Sequence, residues 1–316
     1  MELNPSPVEA QIGIKFKNPD ILQQSLTHRS YAEQANEPDK NNDRLHNVGD
    51  VILNLIIADY LYSNCPYLDV TKFTGLQNNL TSGERLTNLW FQLDLGNLYP
   101  FLGMKEDRYL LRQRRQNPFH HAFKALVGAI HLDRGFSQGR NWVKKYLIAP
   151  LLERHLKKNQ KRSTPDKQVK FLGDSLLKAI TIDYLYCQLP YVSPVKLTML
   201  SKELVLKNRL TEYIDKITPE DWSVIALSDK KSFPVILGAM YLHNAGQSKD
   251  SFRQTGQWFR KRFVDDEEVL KRAIALLLKE GKPQKWIIQN VMGYESKRYR
   301  EGRDRFNKLA GIKNFA

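Results

Sequence analysis

Cysteine is scarce in this 316-residue sequence, which contains only Cys65 and Cys187. The two thiols lie far apart and form no CxxC motif, which excludes a disulfide framework and a cysteine-rich zinc site. We therefore expect two buried free thiols in a reducing compartment. The sequence also lacks any run of about 18 apolar residues, so no segment is predicted to span a bilayer and no membrane partner is expected.

The N-terminus lacks the basic and apolar regions of a signal peptide, which predicts a soluble protein in the cytoplasm or another intracellular compartment. Alternating apolar and polar residues with hairpin turns are absent as well, so the predicted fold class is mainly α. What is abundant is positive charge, with a formal net charge of +15 and a sequence pI of about 9.6. This surplus indicates a polyanionic partner, because each Lys or Arg that neutralises a phosphate releases a counterion.

An internal repeat organises the chain. Residues 43–62 and 167–186 align at a constant offset of 124 without a gap, and residues 123–132 recur at 233–242. In each copy apolar residues follow the i, i+3, i+4 spacing of a buried helix face. The matched pairs include Gly49 and Gly173, Asp50 and Asp174, Asp59 and Asp183, Tyr67 and Tyr191, and the helix-ending Pro66 and Pro190.

The repeat predicts the domain limits. We expect a first domain over residues 1–152, a basic linker over 153–166 and a second domain over 167–265 that lacks the lead-in of the first. We expect residues 266–316 to form a C-terminal helical segment. Its first helix begins with acidic residues and ends at Gly281.

Three motifs of the first copy resemble the ribonuclease III family. Residues 26–31 (LTHRSY) match the opening stretch of the family, and residues 44–50 (RLHNVGD) stand where it has RLEFLGD. Residues 121–129 (HAFKALVGA) stand where it has D-x-x-E-A-L-I-G-A. The resemblance implies two helical domains that pair within one chain, as an intramolecular pseudo-dimer and a monomer, around a valley that takes double-stranded RNA.

In active members of this family, two carboxylates on the signature helix face two on the later helix and hold Mg²⁺, which activates water. This sequence departs from that pattern, since each copy keeps one carboxylate of four. The corresponding residues are His46, Asp50, His121 and Lys124 in the first copy, and Lys170, Asp174, Lys231 and Pro234 in the second.

Lysines in a divalent-cation site repel the ion, so we predict no catalytic residues, no metal and no cofactor. Asp50 and Asp174 are expected to be structural, for example by pairing with an incoming lysine such as Lys170 at i, i+4 from Asp174. Mg²⁺ or Mn²⁺ would be needed only if the protein were active. An alternative is a Zn²⁺ site in which His46, Asp50 and His121 converge.

Several basic segments are candidate nucleic-acid contacts, although charge runs are usually solvated faces. The C-terminal segment resembles a loose helix-turn-helix unit whose second helix would present Gln284, Lys285 and Gln289, while packing of three helices on the second domain is an equal alternative. The candidate contacts are Lys105, Arg108, Arg112, Arg114, Arg115, Lys157, Lys158, Lys161, Arg162, Lys170, Lys231, Lys285, Lys297, Arg298, Arg300 and Arg303.

The sequence thus predicts a catalytically inactive ribonuclease III-like protein that binds structured or double-stranded RNA as a scaffold or protector in RNA processing or ribosome-related assembly. One alternative is a divergent, metal-dependent double-stranded RNA endoribonuclease. Another is a regulator that binds duplex DNA through the C-terminal helices.

Overall fold

The computed structural model describes residues 5–95, 101, 118–152, 165–225, 232–248 and 250–312. Apart from turns, these residues are helical, and the isolated bridge between Thr27 and Phe101 is the one β interaction among them. The prediction of a mainly α fold is therefore confirmed. The expectation of buried thiols holds for Cys65 and is wrong for Cys187, which is exposed near the end of its helix. Ten of the candidate basic contacts lie outside the described residues, namely Lys105, Arg108, Arg112, Arg114, Arg115, Lys157, Lys158, Lys161, Arg162 and Lys231.

The chain divides into two compact units, and the division falls inside the second copy of the repeat. The first unit comprises Met1–Ala179 and Thr218–Thr255, and the second comprises Ile180–Ile217 and Gly256–Ala316. The domain limits drawn from the repeat remain a prediction, because the first compact unit contains the first copy together with part of the second.

In the first unit, the first copy forms a series of helices with well-satisfied ends. The side chain of Asn18 accepts a hydrogen bond from the backbone N–H of Asp20, and the side chain of Asp69 accepts one from that of Lys72, which caps two of these helices. The helices are α1 (Pro5–Ile12), α2 (Pro19–Ser25), α3 (Arg29–Gln34), α4 (Asp43–Asn64), α5 (Val70–Leu80), α6 (Gly83–Gln92), α7 (Pro118–Arg134), α8 (Phe136–Val143) and α9 (Ala149–Leu152), with a π-helix over Lys144–Ile148.

Helices α4 and α7 cross at two glycines. A Cβ atom on Gly49 would lie 1.7 Å from the carbonyl oxygen of Lys124, and one on Gly128 would lie 2.3 Å from that of Leu45. No side chain fits at such distances, so the two backbones touch directly. This contact brings the signature helix and the later helix together, as the resemblance implies.

The second copy contributes α10 (Pro165–Gln188), α13 (Pro219–Val224) and α14 (Phe233–Gln247). Helix α10 begins at Pro165, so the last two residues of the predicted linker are helical, because proline is well tolerated in the first turn. Gly173 and Gly238 repeat the close crossing of the first copy, with hypothetical Cβ atoms 1.7 Å from the Pro234 oxygen and 2.6 Å from the Val169 oxygen.

Within the first unit, the two copies contact each other. The buried amide of Gln168 donates hydrogen bonds to the carbonyl oxygens of Pro66 (3.0 Å) and Leu68 (2.7 Å), which follow the end of α4. The rings of Phe73 and Phe171 meet edge to face with centroids 5.6 Å apart. These contacts agree with the expected pairing of the copies within one chain.

The second unit contains α11 (Pro194–Leu204) and α12 (Lys207–Asp215), together with the C-terminal helices α16 (Asp266–Lys279), α17 (Gln284–Asn290) and α18 (Tyr299–Ala310). Helix α15 (Ser251–Phe263) precedes them and crosses the limit between the units. Three-helix packing on residues of the second copy is thus observed, in one core that includes Leu185, Leu200, Ile274, Ile288 and Phe306.

The ends of α16 match the boundary signals in the sequence. The side chain of Asp265 accepts hydrogen bonds from the N–H groups of Glu267 and Glu268, and Gly281 follows the helix with a φ of 75°. Among the helices that the structure describes, none has both the length and the apolar character needed to cross a bilayer.

Candidate functional site

At the first crossing, Asp50 of α4 faces Lys124 of α7. The Nζ atom of Lys124 lies 2.6 Å from Oδ1 of Asp50, and the lysine side chain is 15% exposed whereas the aspartate is 38% exposed. The close Gly49 contact sets this distance, because it places the Lys124 backbone directly against α4. The lysine that replaces a carboxylate thus pairs with the carboxylate that remains.

Beside this ion pair, the imidazoles of His46 and His121 stack face to face. Their ring centroids lie 3.6 Å apart and their planes differ by 17°. Burial is the largest cause that lowers the pKa of His46, to about 2, and the neighbouring His121 and Lys124 act in the same direction. Burial also lowers the pKa of His121 to about 4, although Asp43 opposes this effect. Both rings are therefore neutral at physiological pH.

The residues of the first crossing do not fit Mg²⁺. They offer one carboxylate, Asp50, which already accepts a hydrogen bond from an ammonium group, and Mg²⁺ requires oxygen ligands in near-octahedral geometry. His46 and His121 do lie together beside Asp50, but their rings are stacked on each other. In the part of the chain that the structure describes, no group of three or more His, Cys, Asp or Glu side chains is placed to hold a metal ion.

The second crossing keeps the backbone contact but changes the ion pair. Nζ of Lys170 donates a hydrogen bond to Oδ2 of Asp174 at 3.0 Å, one turn along the same helix, and the two side chains are 51% and 43% exposed. Pro234 occupies the position of Lys124 and supplies only its backbone oxygen, near Gly173. The pairing expected for Lys170 and Asp174 is confirmed.

Charge is balanced at both crossings. The first contains one ammonium, one carboxylate and two neutral imidazoles, and the described part of the second contains one ammonium and one carboxylate. Four facing carboxylates would repel a phosphate backbone, and that repulsion is absent here. Among the residues that the structure describes there, no surplus of positive charge replaces it, so these residues alone give little attraction for a polyanion.

The first copy is similar to a known protein family. Residues 18–151 match a family model described as ribonuclease-III-like. The resemblance seen in the motifs is confirmed for the first copy. The match includes both α4 and α7, so His46, Asp50, His121 and Lys124 all lie within it.

Two similar proteins are both named ribonuclease 3. Ribonuclease 3 of Borreliella burgdorferi is 35% identical over 132 residues, which are 42% of this chain and 53% of the relative. Ribonuclease 3 of Bdellovibrio bacteriovorus is 30% identical over 149 residues, which are 46% of this chain and 62% of the relative. The chain thus spans less than two thirds of the length of these relatives.

A nuclease domain of ribonuclease III from Campylobacter jejuni is a similar solved structure, at 24% sequence identity and a TM-score of 0.42. The similarity covers 46% of this chain and 97% of that domain.

The other candidate contacts that the structure describes lie in the second unit. Lys285 is exposed on the seven-residue helix α17. On the same helix, Gln284 donates a hydrogen bond to Asn307 (3.1 Å), and Gln289 lies 3.5 Å from Ser296. Both glutamines therefore make contacts within the three-helix segment. Lys297, Arg298, Arg300 and Arg303 are exposed, with Arg298 paired to Glu301 (2.8 Å) and Arg303 4.0 Å from Asp304.

The histidine stack is the feature that sequence reasoning missed. The motif alignment placed His46 and His121 opposite each other, but alignment carries no information on ring orientation or burial. The pairing of Asp50 with a lysine was expected in general terms, and the structure identifies that lysine as Lys124.

Proposed function

We propose that this chain binds double-stranded RNA and does not cleave it by metal-dependent hydrolysis. The observation that carries the proposal is the 2.6 Å contact between Lys124 Nζ and Asp50 Oδ1, at the crossing where the family pattern has facing carboxylates. A divalent cation placed there would meet a fixed positive charge and one carboxylate that is already neutralised. Among the described residues, the helical framework is present and no group of side chains is placed to hold the metal ion that hydrolysis requires.

The substrate class follows from the family resemblance together with the charge of the chain. Ribonuclease III-like domains imply a duplex RNA partner, and duplex RNA is bound by shape through phosphates and 2′-hydroxyls. The net charge of +15 supplies the long-range attraction. Because the described charges at both crossings balance, the exposed lysines and arginines elsewhere are expected to make most phosphate contacts. A protein with these properties can protect or present structured RNA in processing or ribosome-related assembly.

The test is binding and cleavage measured on the same samples. Labelled double-stranded RNA is incubated with the full chain in Mg²⁺, Mn²⁺, Zn²⁺ or chelator, and each sample is run on native and denaturing gels. We expect a shifted but intact RNA in every condition, with an affinity that falls steeply as salt rises. Duplex DNA of the same sequence is the control, and a preference for DNA would favour the alternative of a DNA-binding regulator.

Variants of the first crossing sharpen this test. Metal-dependent fragments from the wild-type protein that disappear in Asp50→Asn would overturn the proposal, whereas Asp174→Asn is the matched control in the second copy. Conversely, the triple variant His46→Glu, His121→Asp, Lys124→Glu restores the carboxylates of the family pattern. We expect Mg²⁺ to raise the Tm of this variant and to leave the wild-type Tm unchanged, because only the variant offers a set of oxygen ligands.

A further inference from the structure

Four exposed apolar side chains lie on α11 or within three residues of its ends, in the second unit. Val195 and Met199, one turn apart on the helix, are 68% and 41% exposed. Tyr191 precedes them and Leu206 follows them, at 52% and 49% exposure. We refer to these four residues as the α11 line. Single exposed apolar residues need no explanation, but a row of them on one element marks an interaction surface.

The internal repeat supplies a control for this observation. Helix α5 is the counterpart of α11 in the first copy, and the residues that correspond to Val195, Met199 and Leu206 are Thr71, Gly75 and Ser82. The apolar line is therefore not a requirement of the fold, since one copy of the same helix does without it. The buried positions remain apolar in both helices, namely Phe73 and Leu80 in α5 and Leu197 and Leu204 in α11.

Positive charge lies at both ends of the α11 line. At the Tyr191 end, the tyrosine ring meets Trp286 with centroids 6.0 Å apart, and Nζ of Lys282 lies 4.8 Å from the Trp286 ring centroid. At the Leu206 end, Lys202 and Lys207 are exposed on α11 and at the start of α12.

The acidic residues near the line are already neutralised. Glu203 pairs with Arg272, and Glu280 lies 3.5 Å from Lys196. The surface thus presents an apolar centre between two cationic ends, which is complementary to an apolar stripe with acidic ends.

We propose that the α11 line docks a short amphipathic helix of a partner protein, whose apolar stripe packs on Val195 and Met199 and whose acidic residues meet Lys202, Lys207 and Lys282. The spacing of one turn between the two central side chains suits the i, i+4 ridges of a facing helix. Exposed aliphatic side chains favour a protein partner over nucleic acid, because nucleotide bases stack on aromatic rings.

The probe for this proposal is a fluorescein-labelled synthetic helix of about 18 residues, with leucines at i, i+4, i+7 and i+11 and glutamates at its flanks. Two control peptides have the same leucines with lysine flanks, and the same composition in a shuffled order. Binding to the full chain is measured by fluorescence anisotropy. We expect the glutamate peptide alone to bind, with an affinity that falls as salt rises because the flanking contacts are ionic.

Variants of the two central residues locate the site. Val195→Thr with Met199→Gln should weaken binding of the glutamate peptide about tenfold or more, because both central contacts are removed. Lys282→Glu and Lys202→Glu should weaken it further, while Thr71→Val on α5 is the matched control without effect. The uncharged pair Val195→Thr with Met199→Gln is expected to leave the Tm and the affinity for double-stranded RNA unchanged, which separates this proposal from the proposed function.

The proposal is overturned if the three peptides bind alike, if none binds, or if Val195→Thr with Met199→Gln binds as the wild type does. Displacement of the peptide by a single-stranded RNA of about 12 nucleotides, lost in Tyr191→Ala, would also overturn it and assign the surface to nucleic acid.

Discussion

The two helix crossings of the first unit share one backbone geometry and differ in side-chain chemistry. In each, a glycine of the signature helix touches a carbonyl oxygen of the later helix, at a hypothetical Cβ distance of 1.7 Å. The first crossing joins its helices by the ion pair between Lys124 and Asp50, whereas in the second Lys170 pairs with Asp174 along one helix. Close packing thus fixes the glycines in both copies, while the polar residues beside them differ freely as long as the aspartate is neutralised.

The largest loss of unfolding free energy is expected from substitutions at the glycines of the two crossings. Gly49→Ala and Gly173→Ala should each cost more than about 4 kcal/mol of unfolding free energy, because the methyl group forces two packed helices apart. Gly75→Ala is the control, since nothing lies within 4 Å of its hypothetical Cβ, and it should stabilise the protein by about 0.5–1 kcal/mol. Urea denaturation measures all three. A Gly173→Ala variant as stable as wild type would show that the second crossing does not share the constraint of the first.

An acid-dependent loss of stability is expected from the first crossing alone. The folded-state pKa values of His46 and His121 lie well below the ordinary value of about 6.5, so below pH 6.5 the unfolded chain binds more protons than the folded chain. The free energy of unfolding therefore falls as the pH is lowered from about 6.5 towards 4, by at most about 1.4 kcal/mol per pH unit for each histidine.

Urea denaturation between pH 7.5 and 4.5 tests this expectation. The double variant His46→Gln, His121→Gln should show a shallower dependence than the wild type, because no ring remains to be protonated in the unfolded chain. Identical slopes for the two proteins would indicate that other groups cause the acid sensitivity.

A smaller difference in unfolding free energy is expected between the ion pairs of the two crossings. Lys124→Met removes the mostly buried partner of Asp50 and should cost about 1 kcal/mol, a value reduced by the partial solvent exposure of the carboxylate. Lys170→Met breaks a solvent-exposed i, i+4 pair and should cost no more than about 0.5 kcal/mol. Thermal or urea denaturation of the two single variants makes the comparison. Equal costs would show that burial does not distinguish the two pairs.

Much of the fold followed from sequence patterns because those patterns express local physics. The i, i+3, i+4 spacing predicted the helices, Pro66 and Pro190 marked where α4 and α10 end, and Asp265 with Gly281 marked the limits of α16. Each of these signals acts within a few residues, through backbone geometry or capping, so a single sequence is enough to read it.

The C-terminal segment shows what local sequence patterns do not predict. Its composition allowed either a helix-turn-helix unit that presents Gln284 and Gln289 or three helices packed on the second copy. The structure contains a packed core with Ile274, Ile288 and Phe306, and both glutamines make contacts inside the segment. The sequence of an amphipathic helix predicts which of its faces is apolar, but not which part of the protein packs against that face.

The sequence by itself determined the helical class, the repeat and the pairing of Lys170 with Asp174 at i, i+4. Only the tertiary structure decided that Lys124 pairs with Asp50, that His46 stacks on His121, and that the second copy divides between the two compact units. The physical reason is that the first group of properties depends on neighbours along one chain segment. The second group depends on distances and burial created by helices that are far apart in sequence, and these exist only once the helices have packed.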